Sequence, residues 1–257
     1  MGKLVTISEH DYHSDREHVS KTWLDKINRS PLHLRCYLDS EPKPQTPAMQ
    51  LGSITHACIL EPDRFNTEFV CSPKLDKRTK AGKEEYAQFE AENSGKVVVD
   101  KSSFDKAVSM RDSVRAHKAA RALLDAGSAE QSVFWNDSEF EVGCKARGDW
   151  VRENIIVDLK TTSDASPAGF AKSIANFRYH VQAAHYEAGF DIDKFVFIVV
   201  ESEPPYGVAV YAVDADMLLR GIEARKRNMD AYAECIQTNK WPGYPDSVQT
   251  IALPTWA

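Results

Sequence analysis

The chain has 257 residues, a formal net charge of −6 and 42% hydrophobic residues, enough for a core in one α/β domain or at most two small ones. It has no run of about 18 apolar residues, which excludes a helical membrane span, and its acidic balance excludes a general nucleic-acid-coating protein while leaving room for local basic tracks. Five cysteines, an odd number without CxxC spacing, read as reduced thiols rather than a disulfide frame or zinc site, and the opening Met1 to Glu9 has no apolar signal core, so a cytoplasmic location is expected.

In chain order, two short helices are predicted from about Ser20 to Leu38. They are broken at Ser30-Pro31, where proline suits a first helical turn. Ser20 reads either as a plain N-cap or, with Lys21, as a place where a terminal phosphate meets free helix N–H groups. A proline-rich link from Ser40 to Pro47 leads to a helix from Met49 to Leu60, ended before Pro62. His56 lies on that helix among apolar residues, as a core histidine or a ligand. Residues 65–73 read as extended, and Lys74 to Lys83 as a basic loop before a helix from Lys83 to Glu92. Within it Lys77, Arg78 and Lys80 are either a solvated face or a DNA contact.

Val97 to Val99 reads as a strand and Ser102 to Ala126 as one long helix stopped at Gly127. Strands are expected at about 130–135, 140–151 and 155–160. Helices ending at Gly189 come next, then strands 195–200 and 208–213, a helix from Asp214 to about Gln237, and a loop tail from Trp241. A second basic cluster, Arg220 with Arg225 to Arg227, is a weaker candidate for DNA contact. Glu130, opening a strand, is either an exposed edge acid or a second-metal ligand.

The chemistry concentrates in Gly148-Asp149-Trp-Val-Arg-Glu-Asn-Ile-Ile-Val-Asp158-Leu159-Lys160, read as a hairpin turning at 152–154. Alternation puts Asp158 and Lys160 on one face and Leu159 in the core. A charged pair closing a buried strand is costly unless paired or metal-bound. Two carboxylates suit a hard divalent cation, and an adjacent lysine can orient water or offset charge on a phosphate. Downstream, Gln182 and Tyr186 are four apart on one helical face, with His185 nearby.

In order, Gly52-x-x-x-His56, Gly148-Asp149, Asp158-Leu159-Lys160 and Gln182-x-x-x-Tyr186 resemble the RecB-like branch of the PD-(D/E)XK nucleases. The RecE-type exonucleases are closer still, through Glu9-His-Asp-Tyr-His13, Arg29-Ser-Pro-Leu-His33, Leu60-Glu-Pro62, Phe177-Arg-Tyr-His-Val-Gln182, Trp241-Pro242 and Leu253-Pro-x-Trp256. Gly148 stands where the family name has proline. The resemblance implies an α/β fold with a central mixed β-sheet flanked by helices and helical N-terminal additions. A single domain, 1–257, would comprise a helical part at 1–95 carrying His56, a nuclease core at 96–240 and a tail at 241–257.

The resemblance further implies a magnesium-dependent exonuclease, with manganese as a substitute, digesting linear duplex DNA from 5′ ends and leaving a 3′ strand for a RecT-like annealing protein. A ring-shaped homo-oligomer is implied as well. His56, Asp149, Asp158 and the Leu159 carbonyl would hold metal, Lys160 would position water, and Gln182 and Tyr186 would hold DNA backbone or water. Two other readings stay open: a RecB-like endonuclease or single-strand nuclease, and a non-catalytic DNA-binding module.

Overall fold

The structure, a computed structural model, describes residues 2–41 and 44–253. Pro42 and Lys43 of the expected link, and Pro254 to Trp256 of the terminal motif, lie outside the described residues. The elements are β1 (Lys3–Val5), α1 (Glu9–Ser14), α2 (Lys21–Arg29), α3 (Pro31–Asp39), α4 (Pro47–Leu60), α5 (Pro62–Glu68), β2 (Phe69–Cys71), α6 (Lys80–Glu92), β3 (Val97–Val99), α7 (Lys101–Ala116) and α8 (Lys118–Leu124). β4 (Ser128–Asp137), β5 (Val142–Arg152), β6 (Ile155–Thr162), α9 (Pro167–Phe177), α10 (Tyr179–Gly189), β7 (Lys194–Glu201), β8 (Val208–Ala212) and α11 (Ala215–Thr238) complete the chain.

Local chemistry sets these boundaries. Ser30, Thr46 and Ser166 each cap a helix that begins with proline, the side chain accepting the N–H three residues on. Two expectations are corrected. Residues 62–68 are helical rather than extended from Phe65, because Pro62 starts a new helix and Arg64 bridges Glu61 and Glu68 within it. The long helix before Gly127 is two helices, because His117 turns out of helical geometry and its Nδ1 caps the second through Ala120 N–H. β1 and α1, ahead of Ser20, had no counterpart in the sequence reading.

The main sheet runs β1-β4-β5-β6-β7-β8, with β6 and β7 parallel and every other pair antiparallel; β2 and β3 form a separate parallel pair. The parallel step needs a crossover, which α9 and α10 supply. Alternation along β6 divides the core. Val157 and Leu159 pack with Ile59 and Leu60 of α4 and Met110 and Val114 of α7. Ile156 packs with Phe170 of α9, Ala183 and Tyr186 of α10, and Phe195 and Phe197 of β7. Burial of these side chains, about 1.5–3 kcal/mol each, fixes the register, since a one-residue slip would exchange the two faces. The fold is a mixed sheet with helices on its faces, and its strand β6 carries Asp158 and Lys160 between two apolar layers.

Candidate active site

β5 and β6 are joined by a two-residue turn, with Glu153 in the left-handed region at φ 45°. The ladder runs from Arg152–Ile155 to Trp150–Val157 and stops. One step further, the same register would set Asp149 opposite Asp158, and on the other side Ala129–Trp150 and Gln131–Gly148 bracket Glu130 against Asp149. Three carboxylates thus fall in one row across β4, β5 and β6. The ladder hydrogen bonds give way there. Leu159 N–H is taken by Asp149 Oδ2 at 2.9 Å, and Glu130 has a φ of 53°. A left-handed glutamate costs about 1–2 kcal/mol, offset by the bond of its carboxylate to Arg147 Nε at 2.8 Å.

α4 brings His56 over this row. Its Nδ1 lies 3.6 Å from Asp149 Oδ2, and its Nε2 lies 2.9 Å from the Leu159 carbonyl oxygen. His56, Glu130 and Asp149 form one group able to converge on an ion. Asp158 is fully buried behind them. Gln182 of α10 donates to its Oδ1 at 2.5 Å. Its Oδ2 meets the Lys160 ammonium at 2.5 Å but no donor in hydrogen-bonding geometry. Lys160 also lies 4.8 Å from the centre of the Tyr179 ring.

The electrostatics follow from burial and crowding. Burial, then the charge of Asp158, pushes the Asp149 carboxyl far above the usual carboxylate range. Burial, then Asp149, raises Glu130 to about 6. Burial holds His56 below its ordinary value, so the ring is neutral and can act as a ligand. Burial alone would lower Lys160, but Asp158 and Asp149 outweigh it and keep the ammonium charged. Carboxylates this close cannot all ionise without a compensating cation.

The residues fit a hard divalent cation. The donors are carboxylate and carbonyl oxygens with one neutral imidazole, a set that suits magnesium or manganese. Three carboxylates gathered beside a neutral imidazole, with Asp158 already paired to Lys160, are the donor chemistry such an ion takes. His56 Nε2–H donates to the Leu159 carbonyl at 2.9 Å, which leaves Nδ1, 3.6 Å from Asp149 Oδ2, as the ring nitrogen that would hold an ion.

The other sequence candidates are placed less uniformly. Tyr186 is buried and lines the cleft of about 760 Å³ into which His56, Glu130 and Asp149 open. Gln182 reaches the row by holding Asp158. His185 does not belong to it: the ring is enclosed, donating from Nε2 to the Lys145 carbonyl at 3.0 Å and accepting Arg225 Nε at 3.3 Å. Arg225 in turn holds Asp137, and Lys226 holds Glu139, so this basic cluster is largely structural.

Ser20 caps α2 without a side-chain bond. Lys21 beside it bonds the Phe177 carbonyl at 2.7 Å and Asp25 at 2.6 Å. Lys160 is near enough to depress the Lys21 ammonium further after burial, the main cause. Lys77, Arg78 and Lys80 are exposed and lie outside the cleft lining, Lys77 against the Tyr86 ring. The sequence reading missed Arg147, which anchors Glu130 and also bonds the Ile7 carbonyl at 3.2 Å. Its position two before Asp149 on one strand was the available signal.

A solved structure of a candidate exonuclease from Eubacterium rectale matches with a TM-score of 0.60 at 13% identity, over 95% of this chain and 97% of that one. A phage-related exonuclease from Haemophilus somnus 129PT matches at 13% identity over 77% of this chain and 98% of that one, with a TM-score of 0.37 too low to carry an argument. The first likeness shows the fold. No curated protein matches the chain. The family model described as a PDDEXK-like domain of unknown function, DUF3799, matches residues 20–254, and the chain belongs to that family.

Proposed function

We propose that the protein is a metal-dependent exodeoxyribonuclease that degrades linear double-stranded DNA from 5′ ends and leaves 3′ single strands for recombination by annealing. The observation that carries a nuclease reading is the row of Glu130, Asp149 and Asp158 under His56, with Lys160 paired to the deepest carboxylate. The resemblance of the sequence to RecE-type enzymes supports the finer reading of polarity and substrate.

His56, Asp149, Asp158 and the Leu159 carbonyl would hold Mg²⁺, with Mn²⁺ as a substitute, and Glu130, grouped with His56 and Asp149, would share in a second ion. A bound ion supplies Lewis acidity to the phosphate and acidifies water. Lys160, held charged by its neighbours, orients the attacking water and offsets negative charge as the phosphorane-like state forms. Gln182 fixes the Asp158 carboxylate, which cannot rotate away without losing that bond. A ring-shaped homo-oligomer, a RecT-like annealing partner and a cytoplasmic location complete the proposal.

Digestion of linear and covalently closed duplex, each with Mg²⁺ and with EDTA, tests it. Loss of the linear form alone, only with Mg²⁺, is expected. Cutting of closed circles moves the reading to an endonuclease, and binding without cutting to a non-catalytic module.

A further inference from the structure

The cleft that holds His56, Glu130 and Asp149 continues well past them. Part of its lining is apolar, with Phe69, Val97 and Val98 of the small β2–β3 sheet and Ile54, beside the polar Gln45, Gln50, Asp100 and Ser103. Val97 and Val98 are 50% and 37% exposed. Phe69 stacks on Phe65, with ring centres 5.5 Å apart.

Two observations say what this space takes. The first is Gly52, inside α4 one turn before His56 and part of the cleft lining. A glycine in a helix interior costs about 0.5–1 kcal/mol against alanine. Here no protein atom demands it: a Cβ built on Gly52 meets nothing within 4 Å. The space it leaves open belongs to the cleft. The second is charge. Of the described residues lining the cleft, both arginines are held by carboxylates, Arg64 by Glu9, Glu61 and Glu68, and Arg147 by Glu130. The apolar wall therefore offers no free cation to a phosphate. It offers the Phe69 ring and aliphatic side chains beside amide donors and acceptors, a combination that suits a nucleobase. The volume, about 760 Å³, lies in the range of small-molecule sites, about 300–1,000 Å³.

We infer that the cleft contains a nucleobase subsite, bounded by Gly52, Phe69, Val97 and Val98, which holds the base of the nucleotide next to the scissile phosphate out of its stack. The inference rests on the nuclease reading, since that reading puts the phosphate at the carboxylate row. Gln45 and Gln50 give the base edge polar partners, and the apolar wall gives its face a surface.

Two experiments test it, and their failures are distinguishable. In calorimetry with Mg²⁺ present, a deoxynucleoside 5′-monophosphate should bind about tenfold more tightly than deoxyribose 5-phosphate. Gly52→Leu, which fills the space, should erase that difference while keeping the melting temperature at or above wild type. The exposed pair Val97→Ser, Val98→Ser should reduce it severalfold. Equal affinities of the two phosphates for the wild-type protein would overturn the subsite. In cleavage assays, linear duplex whose 5′-terminal nucleotides are abasic should be cut several times more slowly than the intact duplex. Equal cutting of both removes the subsite and leaves the nuclease reading standing. If neither is cut, the nuclease reading fails and the subsite beside a scissile phosphate fails with it.

Discussion

Two buried histidines on two helices show what separates chemistry from architecture in this molecule. His56 and His185 both sit in apolar helical runs, both beside acids and bases, and both are held neutral by burial. Around His185 the polar groups close on one another: Lys145 carbonyl, ring, Arg225 guanidinium and Asp137 form a chain in which each donor meets an acceptor. Around His56 they do not close. Asp158, Asp149 and Glu130 crowd together at the cleft: burial and then the charge of Asp158 push Asp149 up, and burial and then the charge of Asp149 push Glu130 up. A satisfied network needs nothing further. A crowded row of carboxylates facing a cleft either holds a proton or takes a further cation, and that property is the basis of its proposed activity.

Substitutions should therefore separate into two patterns. The largest effect is expected at Asp158→Ala, which should drop cleavage to background and weaken Mg²⁺ binding while the protein stays folded; near-wild-type cleavage would sink the assignment of the row. Lys160→Ala should lose about 10²–10³ in rate yet still bind Mg²⁺ by calorimetry, because the lysine is not a ligand. His56→Ala should shift the Mg²⁺ titration of activity upward by about 10–100-fold, and an unshifted titration with only a lower melting temperature would make His56 a second architectural histidine.

His185→Ala should do the opposite. It leaves Arg225 Nε and the Lys145 carbonyl without their ring partner and should cost about 2–4 kcal/mol of stability with the Mg²⁺ requirement unchanged. Its titration sharpens the contrast. Burial, then the Arg225 charge, takes the ring from 6.5 down to about 3 in the fold. As pH falls through 6.5 the unfolded chain binds a proton that the folded ring refuses, so His185 subtracts stability progressively down to about 3. Urea melts of wild type and His185→Gln should converge over that window. The smallest effect concerns the substrate end. If α2 receives a terminal phosphate, 5′-phosphorylated duplex should be digested severalfold faster than 5′-hydroxyl duplex at low salt. Ser20→Ala should reduce the preference, and Lys21→Ala should reduce it less cleanly, since Lys21 is already engaged by Asp25 and Phe177.

The chain itself specified the parts whose signals are local. The 152–154 turn and the apolar run after it fix the β5–β6 hairpin, and a side-chain period of two puts Asp158 and Lys160 on one face with Leu159 opposite. Prolines after cap residues mark where α3, α4 and α9 begin. These depend on neighbours within a few residues, and a linear sequence displays such neighbours. The tertiary structure decided the rest. Hydrophobic patterning alone does not tell His56 from His185, and only the Gly52-x-x-x-His56 resemblance singled His56 out; which of them faces a cleft depends on which sheet face each helix covers. Glu130 joins Asp149 only because β4 and β5 pair with one register, and Arg147 becomes its anchor for the same reason. The sequence marks Gly52 through the Gly52-x-x-x-His56 resemblance, but the opening around it is visible only in the structure. Its meaning comes from the absence of any atom across from it, a property of how α4 and the β2–β3 pair are set apart around the cleft.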